Sequence, residues 1–415
     1  MSLLAFDEAL HRLLDDASPV TEIEQQPTVT ALGRVLAYAQ ISAIAVPALD
    51  NSSMDGYAVR VADVPVAGTR LTVAQRIPAG SVGHTLAPGT AARIFTGAPV
   101  PPGADAIVMQ EMCEHAPDSA PGGVIVNHVP KPGEWIRRAG EDIACGTQVL
   151  AAGTRLTAPQ LGLAASIGHA VLPVFRRLRV GLLTTGDEII MPGALAPEAL
   201  PPGAIFNSNR FLLRGLLEQL GCKVFDLGVI PDNLDATREA LRTAAEECDL
   251  ILSSGGVSVG EEDHVKTAVQ AEGTLDLWKI AIKPGKPLAF GHVRRSAASE
   301  AGQAAFIGLP GNPVASFVTF VMLVRPFILK AQGAVGRAPQ SFAMTAAFDW
   351  PKADVRREFL RVRLDSDGAL TLYPNQSSGV LTSVDWADGL VDNPPGNVIR
   401  RGDPVRFLPF AELLN

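Results

Sequence analysis

Three polar, glycine-bearing segments in the second half of the chain carry residue types suited to anion and metal chemistry. They are Thr184-Thr185-Gly186-Asp187-Glu188, the run Ser253-Ser254-Gly255-Gly256-Val257-Ser258-Val259-Gly260-Glu261-Glu262-Asp263, and Gly308-Leu309-Pro310-Gly311-Asn312-Pro313. Small residues over 253–260 let backbone N–H groups approach an anion, serine hydroxyls add donors, and a following helix adds its positive end. The same composition also suits a tight strand-to-helix turn whose acids complement the helix dipole. It contains neither G-x-x-x-x-G-K-[ST] nor G-x-G-x-x-G, which disfavours ordinary ATP hydrolysis and dinucleotide binding. Glu188 and Asp263 follow different strands. Hard oxygen ligands from two strand ends suit Mg²⁺, which takes one or two carboxylates plus substrate phosphates. Either acid alone serves equally as a helix cap.

Only eight of the 35 basic residues are lysines, and four of these lie between Lys266 and Lys286. In Trp278-Lys279-Ile280-Ala281-Ile282-Lys283-Pro284-Gly285-Lys286-Pro287, residues Lys279, Ala281 and Lys283 would share one face of a strand. Prolines and a glycine stiffen the turn carrying Lys283 and Lys286, and ammonium groups there attract a small dianion or a phosphate. An edge strand guarded by lysine is the alternative. Asn51 to Ala58 and Gly140 to Ile143 place acids beside glycine, which reads as turns, Asp-Gly being a hairpin signal. The seven histidines show no metal spacing, and Cys113-Glu114-His115 reads as an exposed loop.

The elements around these segments follow from periodicity. Apolar residues at helical spacing predict a helix from a Ser2 cap to about Ala17, a short one over Ala31 to Ala39, and another over Ala158 to Ile167. From Val46 to Gly146 short runs separated by Pro, Gly and Asp predict an all-β insertion. From Arg179 strands alternate with helices. The strands are Val180 to Leu183, Val224 to Val229, Leu250 to Leu252 and Ala305 to Ile307. The helices are Arg210 to Leu220, Asn233 to Glu247, Glu262 to Ala271 and Pro313 to Leu329. This rhythm indicates a doubly wound parallel sheet, whose ligands sit beyond the carboxyl ends of the strands. After Gly333 short strands return, as a small barrel or sandwich. The expected fold class is therefore multidomain α/β plus β. Its parts are an elongated split domain (1–45 and 147–177), a β-rich inserted domain (46–146), a doubly wound domain (178–329) and a C-terminal β domain (330–415).

Composition narrows the partners. The 415 residues hold 35 Lys+Arg against 43 Asp+Glu, a net charge of −8, without the basic stripe of a nucleic-acid binder. Four dispersed cysteines form no C-x-x-C pair and no disulfide framework. The N-terminus is acidic and amphipathic, unlike a signal peptide. The longest apolar run, Val314 to Val324, ends at Arg325-Pro326 and is too short to span a bilayer. No nucleic acid, no membrane and a cytoplasmic location are expected.

Seven segments, in order along nearly the whole chain, resemble the molybdopterin molybdenumtransferase family (MoeA and the E-domain of gephyrin). They are SSMDGYA (52–58), FTGAPVPPGADAIV (95–108), GEDI (140–143), TTGDEI (184–189), SSGGVSVGEEDHVK (253–266), WKIAIKPGKP (278–287) and GLPGNPVAS (308–316). The resemblance implies that adenylated molybdopterin loses AMP and receives molybdate at its dithiolene, with Mg²⁺, forming molybdenum cofactor. By the same resemblance Asp263 and Glu188 would handle Mg²⁺ and the phosphoanhydride, and Lys279 and Lys283 would stabilise molybdate or developing phosphate charge. Asp55, Asp142, Thr96 and Asp232 match further positions of the family's site. The glycine-bearing turns contribute Ser253, Gly255, Gly256, Ser258, Pro310 and Pro313 as substrate-binding candidates. The C-terminal third is similar with departures. Val355 replaces the glycine of a G-R-x-E-F segment, and Ser377 that of a Q-G-S motif; by the resemblance Arg356 and Ser378 would help hold molybdate, and Arg356 reads equally as a surface strand residue. The family implies a homodimer, with the adenylyltransferase and cofactor-accepting molybdoenzymes as further partners. The alternatives are the adenylyltransferase itself, which normally needs only the doubly wound domain, and a cofactor-binding scaffold without chemistry.

Overall fold

The computed structural model describes residues 3–116, 122–256, 264–295, 302–336 and 338–414. Its central sheet has six strands in the order Lys223–Ile230, Arg179–Thr185, Leu250–Ser254, Gln303–Leu309, Pro287–Arg294, Gly273–Lys279. The first four run parallel, and Pro287–Arg294 runs opposite to both its neighbours, Gln303–Leu309 and Gly273–Lys279. The four strands expected from the sequence thus form the parallel sheet, and the antiparallel pair 273–294, which was not expected, extends it at one edge. Strand Leu250–Ser254 is buried throughout, as its near-continuous apolar run requires of a central parallel strand.

Helices Ser208–Gln219 and Leu234–Glu247 cover the sheet, each started by an asparagine, Asn207 and Asn233, whose side chain accepts a backbone N–H. The helix expected over Pro313 to Leu329 forms and runs through Arg325-Pro326. A π-helical turn, Phe320–Val324, absorbs the proline, and the helix continues to Ala331. Among the described residues Pro313–Ala331 is the one helix long and apolar enough to cross a membrane, and 89% of its apolar window is buried inside the protein. It is a core helix, touched by the N-terminal helix Phe6–Asp16 through Phe6, Ala9 and Leu13. That first helix begins at Phe6 without a side-chain cap, and the expected Ser2 cap lies outside the described residues.

The short helix expected over Ala31 to Ala39 is absent. Gly33 sits at φ +74°, and the N–H groups of Leu36 and Ala37 bond to Thr154 and Pro173, so long-range pairing replaces local helix. The same bridges explain the split domain: Ile23–Pro27 pairs with Val171–Phe175, and Gln40–Ile41 with Gln148–Leu150, so the chain returns after the insertion. Between these lies a six-stranded sheet in the order Ala106–Met109, Gly56–Val59, Thr90–Ile94, Thr69–Ile77, Gly123–Val126, Cys113–Ala116. Cys113-Glu114-His115 is its edge strand, not a loop. Gly56 opens a strand where Asp-Gly suggested a hairpin tip. A side chain there would meet the Val108 carbonyl at 2.0 Å, so only glycine permits the pairing. The C-terminal sheet, Ile282–Lys283, Arg357–Leu364, Gly389–Asn393, Pro404–Pro409, Phe342–Thr345, takes one strand from the lysine segment.

Candidate active site

A cleft of about 720 Å³ opens at the carboxyl edge of the central sheet. Thr185, Gly186 and Glu188 follow one strand, Asp232 the next, Gly255 and Gly256 the third, and Pro310, Gly311 and Asn312 the fourth. The opposite wall carries Lys283, Pro284, Gly285 and Lys286 together with Arg356, Gln376, Ser377 and Ser378 of the C-terminal domain. The cleft therefore faces a wall of acids and small residues with a wall of cations.

Glu188 is placed by a turn in which Gly186 has φ +133°. A Cβ at Gly186 would meet the Glu188 carboxylate at 2.7 Å, so this glycine lets the acid fold back over the turn. The exposed Glu188 carboxylate has no hydrogen bond or ion pair among the described residues. Behind the turn, Asn209 donates to Ser254 Oγ (2.8 Å) and to the Gly311 carbonyl (2.7 Å), which joins a helix and two strand ends. A second recess of about 330 Å³ adjoins the cleft there and holds Pro313. Buried polar atoms without a partner gather at the same edge: Thr184 Oγ1, Asn207 Nδ2, Asn209 Oδ1 and Ser253 Oγ.

The cationic wall is pre-set by carboxylates. Lys283 Nζ donates to Glu358 Oε1 (2.9 Å) and to Asp354 Oδ2 (3.4 Å), and lies over the Trp350 ring. Glu358 is 1% exposed and also accepts from Trp350 Nε1 (2.7 Å) and Asn393 Nδ2 (3.2 Å). Arg356 forms a two-pronged pair with Asp354 (2.9 and 2.7 Å). Those bonds hold the Asp354 carboxyl well below the usual carboxylate range, and the same pair pushes the Arg356 guanidinium up.

Of the residues singled out in the sequence, Glu188, Asp232, Gly255, Gly256, Lys283, Pro310, Arg356 and Ser378 line this one cleft. Ser253 lies fully buried beneath it, and Pro313 lines the adjoining recess. Lys279 does not line it. The alternation holds in burial, with Ile280 and Ile282 inside, but the strand ends at Lys279 and the chain crosses to the C-terminal sheet before Lys283. Backbone bonds from Leu4 to Lys279 and from Ala281 to Leu4 hold that crossing in place. Asp55, Thr96 and Asp142 are also not among the lining residues. Asp55 Oδ1 accepts from the Thr96 N–H (2.8 Å) and hydroxyl (2.9 Å), bonds that hold its carboxyl below the usual range. Asp263 and Ser258 lie outside the described residues. Glu358 and Gln376 lie inside the G-R-x-E-F and Q-G-S segments of the sequence but were not singled out as site residues, and Asp354 was not singled out at all; the signal for the first two was their place in those segments.

Among the described residues no cluster of three or more potential metal ligands occurs. Two cleft carboxylates, Glu188 and Asp232, with room for phosphate oxygens, fit the donor set of Mg²⁺ rather than that of a softer metal.

Comparison with known proteins gives a consistent picture. Residues 4–168 match the MoeA N-terminal region (domain I and II), 181–330 a probable molybdopterin binding domain, and 343–410 the MoeA C-terminal region (domain IV). A molybdopterin molybdenumtransferase of Haemophilus influenzae is 42% identical over 361 residues, covering 86% of this chain and 85% of its own length. Molybdopterin molybdenumtransferase 2 of Mycobacterium tuberculosis is 38% identical over 382 residues, covering 89% and 90%. The crystal structure of the molybdopterin biosynthesis MoeA protein from Pyrococcus horikoshii superposes with a TM-score of 0.83 at 29% identity, covering 98% of this chain and all of that one.

Proposed function

This chain belongs to the MoeA family of molybdopterin molybdenumtransferases, and from that membership we propose that it inserts molybdate into adenylated molybdopterin with release of AMP. It is a transferase of molybdenum cofactor biosynthesis. The observation that carries the finer reading is the meeting of acids and cations across one cleft: Glu188 and Asp232 on one side, Lys283, Lys286 and Arg356 on the other.

The phosphoanhydride of the substrate lies against the Gly255-Gly256 turn, where small residues let donors approach its oxygens. Glu188, with Asp263, would hold Mg²⁺, which supplies charge neutralisation at the phosphates when bound. Water adds to a phosphorus of the phosphoanhydride, the P–O–P bond breaks, and AMP leaves. Lys283, Arg356 and Ser378 hold molybdate, a tetrahedral dianion, by charge-assisted hydrogen bonds, so that the two dithiolene thiols bind molybdenum and one molybdate oxygen leaves as water with their two protons. Lys279 contributes less than its sequence position suggests, because its side chain is off the cleft. Asp55, Thr96 and Asp142 act in the cleft of a second subunit, which makes the active form a homodimer with two composite sites. The cytoplasm, with reduced thiols, suits the dithiolene.

The test mixes protein, adenylated molybdopterin, molybdate and Mg²⁺ and follows AMP. Pterin-dependent AMP release with molybdenum transferred supports this reading. In a parallel mixture with ATP and unadenylated molybdopterin, consumption of ATP would assign the adenylyltransferase reaction, and tight binding without turnover in either mixture a scaffold.

A further inference from the structure

Strand Arg357–Leu364 carries a second fully buried charge, Arg361, which is 1% exposed. Its guanidinium donates only to neutral oxygens: Nε to Ser383 Oγ (3.1 Å), Nη1 to the Phe359 carbonyl (3.2 Å) and Nη2 to the Ser377 carbonyl (3.3 Å). Among the described residues it has no carboxylate partner. Burial lowers its pKa to about 10, still protonated at neutral pH. A charge held in the interior with neutral partners alone is destabilising by several kcal/mol, and an apolar side chain of similar volume would serve packing better.

Its position gives the charge a use. Ser377, whose carbonyl it grips, and the neighbouring Ser378 line the cleft. The same loop is fixed from two more directions. Gln376 pairs its side-chain amide with the Arg361 backbone N–H and carbonyl (3.0 Å each), and the Ser378 carbonyl accepts from Val314 N–H (2.9 Å). On the cleft surface Lys283 and Arg356 are offset one for one by Glu358 and Asp354. With those two offset, the positive charges of this wall that have no carboxylate in contact among the described residues are Lys286, on the exposed rim, and Arg361, buried behind Ser377.

We propose that Arg361 is a positioning and specificity residue for the oxyanion: it fixes the Gln376–Ser378 loop and adds a buried, uncompensated positive charge that favours a dianion at that end of the cleft. The proposal rests on the reading of this cleft as the molybdate site. The field of that charge acts through a layer of low dielectric, where it is weakly screened by salt.

The experiment is equilibrium dialysis of molybdate, and separately of sulfate, against the full-length protein at low and high ionic strength. It uses wild type, Arg361→Met and Arg361→Lys, with thermal melting and the AMP-release assay in parallel. Arg361→Met should melt no lower than wild type, bind molybdate about tenfold more weakly or worse, and need correspondingly more molybdate for half-maximal AMP release. The rate at saturating molybdate should stay within about threefold of wild type. Arg361→Lys should recover most of the binding. Equal molybdate binding by wild type and Arg361→Met overturns the proposal, as does an Arg361→Lys variant that is folded and as weak as Arg361→Met. If Arg361→Met does not fold, Arg361→Gln, which removes the charge and keeps hydrogen bonding, decides in its place. A wild-type protein that binds neither molybdate nor sulfate overturns the oxyanion reading of the cleft itself, a result distinct from both.

Discussion

Glu188 and Asp55 both belong to glycine-bearing acidic turns at strand ends, yet the fold surrounds them differently. Glu188 stands unpaired on a cleft whose far wall is Lys283, Lys286 and Arg356. Asp55 is already satisfied by Thr96 within its own sheet and is not among the residues lining that cleft. The first is an acid waiting for a ligand opposite a complete anion-binding wall. The second is an acid held in a fixed, ionised geometry with nothing of this subunit's cleft to act on. The contrast gives the proposed homodimer a physical motive: a preorganised acid is useful only where a substrate can reach it.

The largest expected effect tests whether the two regions serve one reaction. Glu188→Gln and Asp263→Asn should each lower Mg²⁺-dependent AMP release by orders of magnitude with the fold intact. Asp55→Ala should do nearly as much if its turn completes a cleft. An Asp55→Ala enzyme with near-normal turnover would leave the inserted sheet a structural role alone.

Complementation asks where that cleft is. Asp55→Ala and Asp263→Ala, each inactive, are co-folded in equal amounts. Random pairing puts about half the protein into mixed dimers, each with one site carrying both lesions and one carrying neither. Recovered activity should approach about a quarter of wild type if the sites act independently. No recovery at all would place each site within a single subunit.

A smaller effect sharpens the description of the cationic wall. Lys283→Ala should raise the molybdate needed for half-maximal activity by about tenfold and make its salt dependence shallower, because one screened attraction is gone. Lys279→Ala should change it by less than about threefold, because that side chain is off the cleft. Equal shifts in both variants would contradict the placement of Lys279.

The difference between those lysines also marks how far the sequence can be read. Strand ends followed by Thr-Gly-Asp-Glu, Ser-Ser-Gly-Gly and Leu-Pro-Gly-Asn were legible, because a parallel sheet puts such turns on one edge whatever the details. Periodicity also placed Lys279 and Lys283 on one side, as their burial shows, but could not show the chain leaving one sheet for another between them. Buried charge was illegible in principle. Glu358 and Arg361 look like solvated strand residues until Lys283 and the Ser377 carbonyl appear from elsewhere in the chain. The expected helix over Ala31 to Ala39 was displaced by long-range pairing, which leaves no local signature, whereas the helix expected over Pro313 to Leu329 forms, with a π-turn that periodicity did not show.

The smallest effect probes why the two regions hold their acids ionised. Asp354 is kept low by an arginine in contact, Asp55 by the neutral N–H and hydroxyl of Thr96. Thr96→Val deletes the hydroxyl donor and leaves the backbone one, so the Asp55 carboxyl should move up towards its ordinary value, read by carboxyl NMR titration. The sign for stability follows. A carboxyl whose folded pKa is depressed stabilises the fold above its unfolded pKa of about 3.9 and loses that contribution as pH falls through the folded pKa. Thr96→Val should therefore melt slightly lower than wild type at pH 7, with the gap closing as the pH falls below the usual carboxylate range. Asp354 should titrate unchanged in that variant, since its partners, Arg356 and Lys283, belong to a different wall. An Asp55 titration indifferent to Thr96→Val would mean that the backbone N–H alone fixes this acid, and the inserted turn would then be preorganised by main chain rather than by the Thr96 side chain.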